Sequence, residues 1–388
     1  MRRRRTLPLL SAVCAALAAC SASSGSSAPV SSASDAGAGA TSRAGGQASA
    51  STSPASPAGD SPATISLAFA GDVHFERQVA ALLDDSADVW SKRLPELRDA
   101  DFSLVNLETA ITRRGTPQPK AYTFRTPPTA LDKLKEAGVD AVSMANNHAA
   151  DYGRVGVQDT LAAKETNVLP IVGFGPDAAS AYAPLEVDVK GVKVAVLAAS
   201  QVPEETARNW AAGSSSPGIA VAIDRTKLRE AVRAAATDHD LVVVQMHWGT
   251  EGSTCPNDTQ VATVRDLQAD GADVVVGTHA HRPQGSGWNG RTFVGYGTGN
   301  FIWYNTSLNS RPSGVLTVTV DADAARARGK ATGADRTTAK SLVTAYTWTP
   351  KYIAGSGVPQ DPQAGTRDRL AALARAATSC ANLQQSAP

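Results

Sequence analysis

Short apolar runs that alternate with helical patterns constrain the fold of this chain more than any other feature. The runs have the length and composition of buried strands, and they lie at residues 65–70, 102–106, 141–144, 192–199, 241–246, 274–277, 293–296 and 315–320. Helical periodicity lies between several of them, at 129–137, 154–165, 224–236 with Asp224 as N-cap, and 258–269. Because such strands need cover on both faces, the pattern predicts an α/β domain with helix-covered strands or two stacked sheets.

Two C-terminal segments break this alternation. Residues 321–340 are charged and rich in Ala and Gly, which indicates a hairpin loop or an insertion. From about residue 350 the chain is punctuated by Pro and Gly, and a short helix is predicted around 369–377. We therefore expect the α/β domain to occupy residues 64–349 and a C-terminal tail to occupy 350–388.

Most of the histidines directly follow a predicted strand, inside a turn rich in Gly, Asp or Asn. These are His74, His148, His247, His279 and His281. His239 instead lies in a polar connection between a helix and a strand. Because ligands of α/β sheets gather at the carboxyl ends of the strands, this placement predicts a binding site there.

The turns together supply oxygen and nitrogen donors without sulfur: Asp72, His74, Glu108, Asn147, His247, His279 and His281. Residues two apart in an extended segment point to the same side, which pairs Asp72 with His74 and His279 with His281. Two metal ions that share Glu108 would each receive four protein ligands and keep room for water. Mixed oxygen and nitrogen ligands favour Mn, Fe or Zn over Ca or Mg. Any one of these histidines alone fits better as a hydrogen-bonded, partly buried side chain, so the prediction depends on the whole set.

The order of these residues resembles the signature of the calcineurin-like metallophosphoesterases, which runs Asp-x-His, a bridging acid, Asn-His, a single His and Gly-x-His-x-His. From residue 69 to 301 the chain more closely resembles the CapA family of poly-γ-glutamate capsule synthesis proteins. The matching pieces are Gly71-Asp72-Val73, Asn106-Leu107-Glu108, Phe124-Arg125-Thr126-Pro127, Ala145-Asn146-Asn147-His148 with Asp151-Tyr152-Gly153, His247-Trp248-Gly249-Thr250-Glu251, Gly277-Thr278-His279-Ala280-His281 with Gln284, and Gly299-Asn300-Phe301. Each piece alone is a weak signal, but together and in order they are a strong one.

The resemblance implies a four-layer α/β/β/α sandwich of the metallo-dependent phosphatase type, with two divalent ions at the strand ends. It assigns one ion to Asp72, His74, Glu108 and His281, and the other to Glu108, Asn147, His247 and His279. The CapA pattern usually has Met in place of His74 and Pro in place of Ala280. The first departure makes the site more like that of a phosphoesterase, and the second is expected to have no effect.

Several residues near the ligands have candidate roles in binding or catalysis. By the same resemblance, His148 corresponds to the imidazole that polarises the substrate or protonates the leaving group. Asp151 is expected either to orient His148 or to cap a turn. Arg125 is a candidate anion clamp or a surface salt-bridge residue, and Glu251 is a substrate-binding or ligand-supporting residue or a plain loop acid. Trp248 is expected to pack beneath the site rather than to bind sugar.

The N-terminus has the features of a secretion and lipidation signal. Arg2 to Arg5 precede an apolar run at 7–19 that is too short to span a bilayer, and residues 17–20 read Leu-Ala-Ala-Cys. This end resembles the lipobox of bacterial lipoproteins, in which Cys20 is lipidated after residues 1–19 are removed; the alternative is an ordinary secretion signal. Residues 21–63 are mostly Ser, Ala, Gly and Pro, which predicts a flexible tether that holds the domain off the outer face of the cell membrane.

Secretion also decides what is expected of the remaining cysteines. Cys14 leaves with the signal and Cys20 is acylated, so Cys255 and Cys380 stay in an oxidising compartment. A disulfide between these two residues is expected, and two separate thiols are the alternative.

The charge balance argues against nucleic acid as a partner. The chain has 37 Lys and Arg against 36 Asp and Glu, and four of the arginines leave with the signal. This balance gives no basic field of the kind that nucleic-acid binding requires.

Three functions are compatible with these features. The first is a surface-anchored, metal-dependent hydrolase that acts on an anionic ester or polymer. The second is an accessory protein of a capsule or poly-γ-glutamate synthesis complex, whose metal site positions polymer without cutting it. The third, a lipid-tethered binding module with a structural metal, gives no reason for His148 beside the ligands. The sequence favours the hydrolase, with the accessory role as the alternative, and does not choose the substrate.

Overall fold

The computed structural model describes residues 63–166, 168–329 and 340–388. The predicted signal peptide, the lipidation site Cys20 and nearly all of the predicted tether lie outside the described residues. The strands are β1 (Thr64–Val73), β2 (Phe102–Leu107), β3 (Ala110–Ile111), β4 (Arg125–Thr126), β5 (Ala141–Ser143), β6 (Ile171–Val172), β7 (Phe174–Gly175), β8 (Leu185–Val189), β9 (Val192–Ser200), β10 (Gly218–Ile219), β11 (Leu241–Trp248), β12 (Val274–His279), β13 (Ser286–Asn289), β14 (Thr292–Gly295), β15 (Asn300–Ile302), β16 (Pro312–Asp321), β17 (Val343–Ile353) and β18 (Pro359–Gln360). The helices are α1 (Ala87–Trp90), α2 (Pro95–Arg98), α3 (Thr129–Glu136), α4 (Gly153–Glu165), α5 (Ala178–Tyr182), α6 (Glu205–Asn209), α7 (Thr226–Asp238), α8 (Asp258–Asp270), α9 (Ala322–Arg328) and α10 (Ala364–Ala381), with a 3₁₀ helix at Arg77–Asp84.

Two mixed sheets organise the domain. The first has the order β18-β17-β16-β1-β2-β5-β6, with β15 also paired to β1. Its strands β1, β2, β5 and β6 are parallel, whereas β16, β17 and β18 run antiparallel to their neighbours. The second has the order β13-β14-β12-β11-β9-β8, with β9, β11, β12 and β14 parallel and antiparallel strands at both edges. In each sheet, the carboxyl ends of the parallel strands therefore lie at one edge.

Three apolar layers separate the sheets and helices. Between the sheets, Phe69 of β1 belongs to the same core cluster as Val243 of β11. On the outer face of the first sheet, Leu131 of α3 packs with strand residues, and Leu228 of α7 does the same on the second. Complete burial of a side chain such as Phe69 contributes about 1.5–3 kcal/mol to stability. The order helix, sheet, sheet, helix confirms the predicted four-layer α/β/β/α sandwich.

The predicted strands and helices of the domain are all present, with ends shifted by no more than a few residues. Helix α7 begins at Thr226, two residues after the predicted N-cap, but the Asp224 side chain accepts a hydrogen bond from the Thr226 backbone N–H at 3.0 Å and so satisfies a donor of the first turn. In the predicted loop or insertion, α9 forms because the Asp321 side chain accepts from the Ala324 N–H at 2.8 Å and caps the helix.

The C-terminal segment packs on the domain. Strand β17 crosses the expected boundary at residue 350, and its pairing with β16 continues to Tyr352. Helix α10 is longer than the predicted 369–377, since Ala, Leu and Arg favour helix on both sides of that stretch. A disulfide joins Cys380 of α10 to Cys255 in the loop before α8, with 5.6 Å between the Cα atoms. Within the described residues, every helix is too short or too polar to cross a membrane.

Candidate metal centre

The strand ends bring most of the predicted donors to one region of the domain. Asp72 lies near the end of β1, where a bulge interrupts the register, and Glu108 directly follows the parallel neighbour β2. In the second sheet, His247 lies near the end of β11 and His279 ends its parallel neighbour β12. Each donor therefore occupies the position at which α/β sheets bind ligands.

These donors form three groups whose ligand atoms lie within 4.8 Å of one another. The groups are Glu108 with His247 and His279, Asp72 with Glu108 and His281, and Glu251 with His279 and His281. Three ligands that surround one ion at about 2.1 Å are about 3.4–3.6 Å apart. The side chains would therefore have to close in on an ion in order to bind it. Glu108 is common to two groups, which is the position of a bridging carboxylate.

Glu108 also supplies the test of whether these residues fit a metal ion. Its side chain is fully buried, and within the described part of the chain neither carboxylate oxygen accepts a hydrogen bond. Nε2 of His247 and Nε2 of His148 lie 3.4 and 4.0 Å from its Oε1. Burial, and then the charges of Asp72 and Glu251, raise the pKa of Glu108 well above its ordinary value. Burying a carboxylate without a hydrogen-bond partner costs free energy of folding, and a divalent cation would satisfy both oxygens. These residues therefore fit a metal ion.

The two histidines of the second sheet are neutral and suited to act as ligands. Burial, followed by the charges of neighbouring histidines, lowers the pKa of both His247 and His279 well below the ordinary value. Among the described residues, nothing forms a hydrogen bond with the buried Nδ1 of His279. Nδ1 of His247 lies 2.9 Å from Thr278 Oγ1, which fixes the ring. Of the two, His279 therefore has the unused lone pair, and a neutral imidazole in this form binds metals.

The turn that carries the paired histidines has a strained backbone. His279 and His281 have φ values of 86° and 55°, in a region of backbone conformation that residues other than glycine rarely adopt. Such strain costs about 1–3 kcal/mol per residue and is concentrated at functional sites. Asp72 Oδ2 holds the turn, since it accepts from the His279 N–H at 3.2 Å and lies 3.1 Å from His281 Nδ1. Burial opposes a charge on His281, but the hydrogen bond and charge of Asp72 outweigh it and raise the pKa of His281.

Asn147 lies beside the donor group that contains His247. Its Oδ1 is 2.9 Å from His247 Nε2, and its Nδ2 donates to Glu204 Oε2 at 2.9 Å. Only the amide nitrogen can donate, so Glu204 directs the amide oxygen toward the histidine. The structure thus places the predicted amide ligand next to the imidazole with which it would share an ion.

His148 is held by two side-chain neighbours. Its Nδ1 lies 2.6 Å from Asp151 Oδ2, and Asp151 is fully buried and paired with Lys120 Nζ at 2.7 Å. The ring of Phe124 stacks on the imidazole with centroids 4.2 Å apart. Burial lowers the pKa of His148, although Asp151 partly opposes the shift. Asp151 therefore orients His148, whose other nitrogen faces the region of Glu108.

His74, a predicted ligand, belongs to none of the three donor groups found among the described residues. The backbone N–H groups of Glu76 and Tyr304 donate toward its Nδ1 and Nε2, at 3.1 and 3.4 Å. Its ring packs against Phe124 and Trp303, with centroid distances of 4.7 and 4.3 Å. A neutral imidazole accepts at only one ring nitrogen, so only one of these two contacts is a hydrogen bond, and the ring also packs in an aromatic cluster.

A cavity of about 310 Å³ lies over the donors. Its lining includes His148, Glu251, His281 and Arg282. Within the described residues, the buried Nε of Arg282 has no hydrogen-bond partner. Burial and the nearby charge of Arg369 lower the pKa of Arg282. A guanidinium of this kind, next to a like charge, favours an anion in the cavity.

Two other predicted side chains lie away from this cavity. Arg125 is exposed and extends its guanidinium over the ring of Tyr152, 4.8 Å from the centroid, so it does not line the cavity as the predicted anion clamp. Trp248 is buried, and its Nε1–H donates to the Tyr296 carbonyl at 2.9 Å. As expected, this tryptophan packs beneath the strand ends.

The sequence matches the family model described as "Bacterial capsule synthesis protein PGA_cap" over residues 66–305. That stretch contains every predicted metal ligand. The chain belongs to this family. The matched stretch also holds His148, Glu251 and Arg282, three of the residues that line the cavity.

Curated relatives carry names from capsule and polyglutamate synthesis. The PGA biosynthesis protein CapA of Bacillus subtilis is 29% identical over 261 residues, which cover 66% of this chain and 68% of that protein. The capsule biosynthesis protein CapA of Bacillus anthracis is 27% identical, with 62% and 60% covered. A probable polyglutamine synthesis accessory protein of Mycobacterium tuberculosis is 33% identical, with 50% and 54% covered. The chain thus spans less than two thirds of the second and third relatives.

Solved structures resemble the chain only at a general level. A novel phosphatase from Mycoplasma pneumoniae is 14% identical with a TM-score of 0.45, and the match covers 79% of this chain and 99% of that one. A 5′-nucleotidase from Candida albicans is 10% identical with a TM-score of 0.38, and the match covers 81% and 58%. The four-layer architecture follows from the chain's own sheets and apolar layers.

Proposed function

We propose that this protein is a metal-dependent hydrolase of capsule or poly-γ-glutamate synthesis, with two divalent ions of Mn, Fe or Zn at the strand ends. The observation that supports this most is Glu108, a fully buried carboxylate whose oxygens lack hydrogen bonds and which is shared by two donor groups. Asp72, Glu108 and His281 would hold one ion, and Glu108, Asn147, His247 and His279 the other. Ions bound there would polarise a substrate oxygen and acidify a water molecule.

His148 would transfer a proton to the leaving group. Because Asp151 accepts from Nδ1, the proton of the neutral ring stays on that nitrogen and leaves Nε2 free to accept one. The buried pair of Asp151 with Lys120 fixes this tautomer, and the stack on Phe124 fixes the ring plane. Once Nε2 is protonated, the imidazole can deliver that proton to the leaving group, a role worth about 10² to 10⁴-fold in rate.

The substrate would be an anionic polymer or ester. Arg282 supports an anion because it lines the cavity beside His281 with an unpaired Nε and a cationic neighbour. The names of the relatives, from capsule, PGA and polyglutamine synthesis, support a polymer with carboxylates and membership of a synthesis complex.

The site would work outside the cell, anchored to the membrane by lipidated Cys20. The motif at 17–20 and the Ser/Ala-rich segment after it support this placement. Replacing Cys20 with Ser should remove acyl mass from the protein and shift it out of the membrane fraction. Wild type that is found free in the medium without an acyl group would contradict the anchor.

An accessory role is the second candidate, because the M. tuberculosis relatives are named synthesis accessory proteins. Hydrolysis of poly-γ-glutamate and of a chromogenic phosphate ester by the purified protein with Mn²⁺ separates the two. The hydrolase predicts turnover that falls by at least tenfold in His148→Ala and is unchanged in Arg125→Ala, whose guanidinium lies away from the cavity. Polymer binding without turnover of either substrate would favour the accessory role.

A further inference from the structure

Glu251 is exposed, but the loop that carries it places its carboxylate beside two histidines of the metal centre. It lies in the loop after β11, between Gly249 and Gly252, whose φ values of 96° and 76° fold the loop back. The Gly252 N–H donates to the Ala280 carbonyl at 2.8 Å and ties this loop to the turn of the paired histidines. The Glu251 carboxylate is thereby held against the metal centre and lines the cavity over it.

The contacts of Glu251 are those of a ligand. A carboxylate oxygen of Glu251 and one ring nitrogen from each of His279 and His281 lie within 4.8 Å of one another. The two groups that contain Glu108 lie within the same limit. His279 brings a buried Nδ1 for which the described residues offer no hydrogen-bond partner. His279 and His281 would hold different ions of the proposed pair, so Glu251 would lie beside both, on the side of the cavity.

The positions of the carboxylates support the same placement. His281 is common to the group that contains Glu251 and to the group that contains Asp72 and Glu108. Three carboxylates therefore border one set of imidazoles, and cations between them would offset their mutual repulsion.

His74 cannot take this place without breaking existing contacts. Its one acceptor nitrogen takes a hydrogen bond from a backbone N–H, of Glu76 at 3.1 Å or of Tyr304 at 3.4 Å, and its ring is enclosed by Phe124, Trp303 and Tyr304. Phe124 in turn lies between His74 and His148, with centroid distances of 4.7 and 4.2 Å. The structure therefore gives His74 a positioning role, because it supports the ring on which His148 stacks.

We propose that Glu251, and not His74, is the additional protein ligand of the metal centre, on the ion held by His281. This inference depends on the proposed metal centre. In this assignment, the exposed carboxylate of Glu251 on a glycine-flanked loop takes the place of the buried His74 imidazole of the phosphoesterase pattern. The ligand then lies on the substrate side of the ion, beside Arg282 in the lining of the cavity.

Metal binding without substrate tests the inference. The purified wild type, Glu251→Gln and His74→Met are stripped of metal, titrated with Mn²⁺ by calorimetry, and assayed for bound ions after gel filtration. Glutamine keeps the size of Glu251 but removes its charge, and methionine packs well against aromatic rings. Glu251→Gln should weaken one of the two sites by at least about tenfold, while His74→Met should bind both ions with wild-type affinity. Melting of the stripped proteins checks that both variants fold.

The outcomes separate this inference from the proposed function. Wild-type affinity in Glu251→Gln, or loss of an ion in His74→Met, would overturn the ligand assignment and leave the hydrolase proposal standing. Two bound ions with the predicted variant pattern, but no turnover of any substrate, would support the ligand assignment and reject the hydrolase. A wild type that binds no Mn²⁺ would overturn both.

Discussion

Replacing Cys255 and Cys380 with alanine removes a cross-link between residues that are 125 positions apart. In the chain-entropy description, closing a loop of that length destabilises the unfolded chain by about 5 kcal/mol. The full amount is expected only if α10 stays docked in the variant. Of the 18 residues of α10, only Leu370, Ala377 and Ala381 are buried, so part of the loss is avoided when the helix detaches first. We expect the free energy of unfolding to fall by about 3–5 kcal/mol.

Urea denaturation of the wild type and the double variant, each with and without reductant, measures this loss. Reductant should lower the stability of the wild type to that of the variant. It should not change the stability of the variant, which lacks the disulfide and so controls for other effects of the reductant. Trypsin provides a second readout, because Arg367, Arg369 and Arg375 lie exposed on α10 and become cleavable when the helix detaches. A variant within about 1 kcal/mol of wild type, with the same trypsin pattern, would refute the reasoning.

Two further predictions concern the site. Lys120→Met leaves the buried charge of Asp151 without its cation, so the free energy of unfolding measured in urea should fall by about 3–5 kcal/mol. Recovery of this free energy in Lys120→Met/Asp151→Asn is the control. A single variant as stable as the wild type would contradict the pairing. Arg282→Ala should raise KM for an anionic substrate by about tenfold or more, with bound metal unchanged. Arg125→Ala should leave KM unchanged. Equal KM values in the two variants would contradict the anion site.

The regular elements and most of the donors were predictable because each depends on local pattern. Apolar runs of strand length fix where β1, β2, β11 and β12 lie, and a donor that follows a strand must lie at the sheet edge. Asp72, Glu108 and His279 are predicted by this rule, and in the structure Glu108 shares one donor group with Asp72 and another with His279. The fold class follows from the same alternation of strands and helices.

The rest depends on contacts between distant segments. His74 satisfies the strand-end rule, but Tyr304, 230 residues later, brings the N–H that engages its ring. Lys120 lies in an irregular loop, and nothing in that loop indicates that its ammonium reaches Asp151. Arg125 belongs to a matching motif, yet the side chain that lines the cavity is Arg282, which has a cationic neighbour from α10. Sequence spacing gives the positions of these residues and not the directions of their side chains.

Elemental analysis of the wild type, Glu108→Ala and His148→Ala after gel filtration tests the central claim most directly. Glu108 is shared by two donor groups, so its loss removes a ligand from both ions and exposes each to the repulsion of the other. We predict about two equivalents of transition metal in the wild type and in His148→Ala, and one or fewer in Glu108→Ala. A wild type without transition metal, or a Glu108→Ala variant that retains both ions, would contradict the two-metal centre.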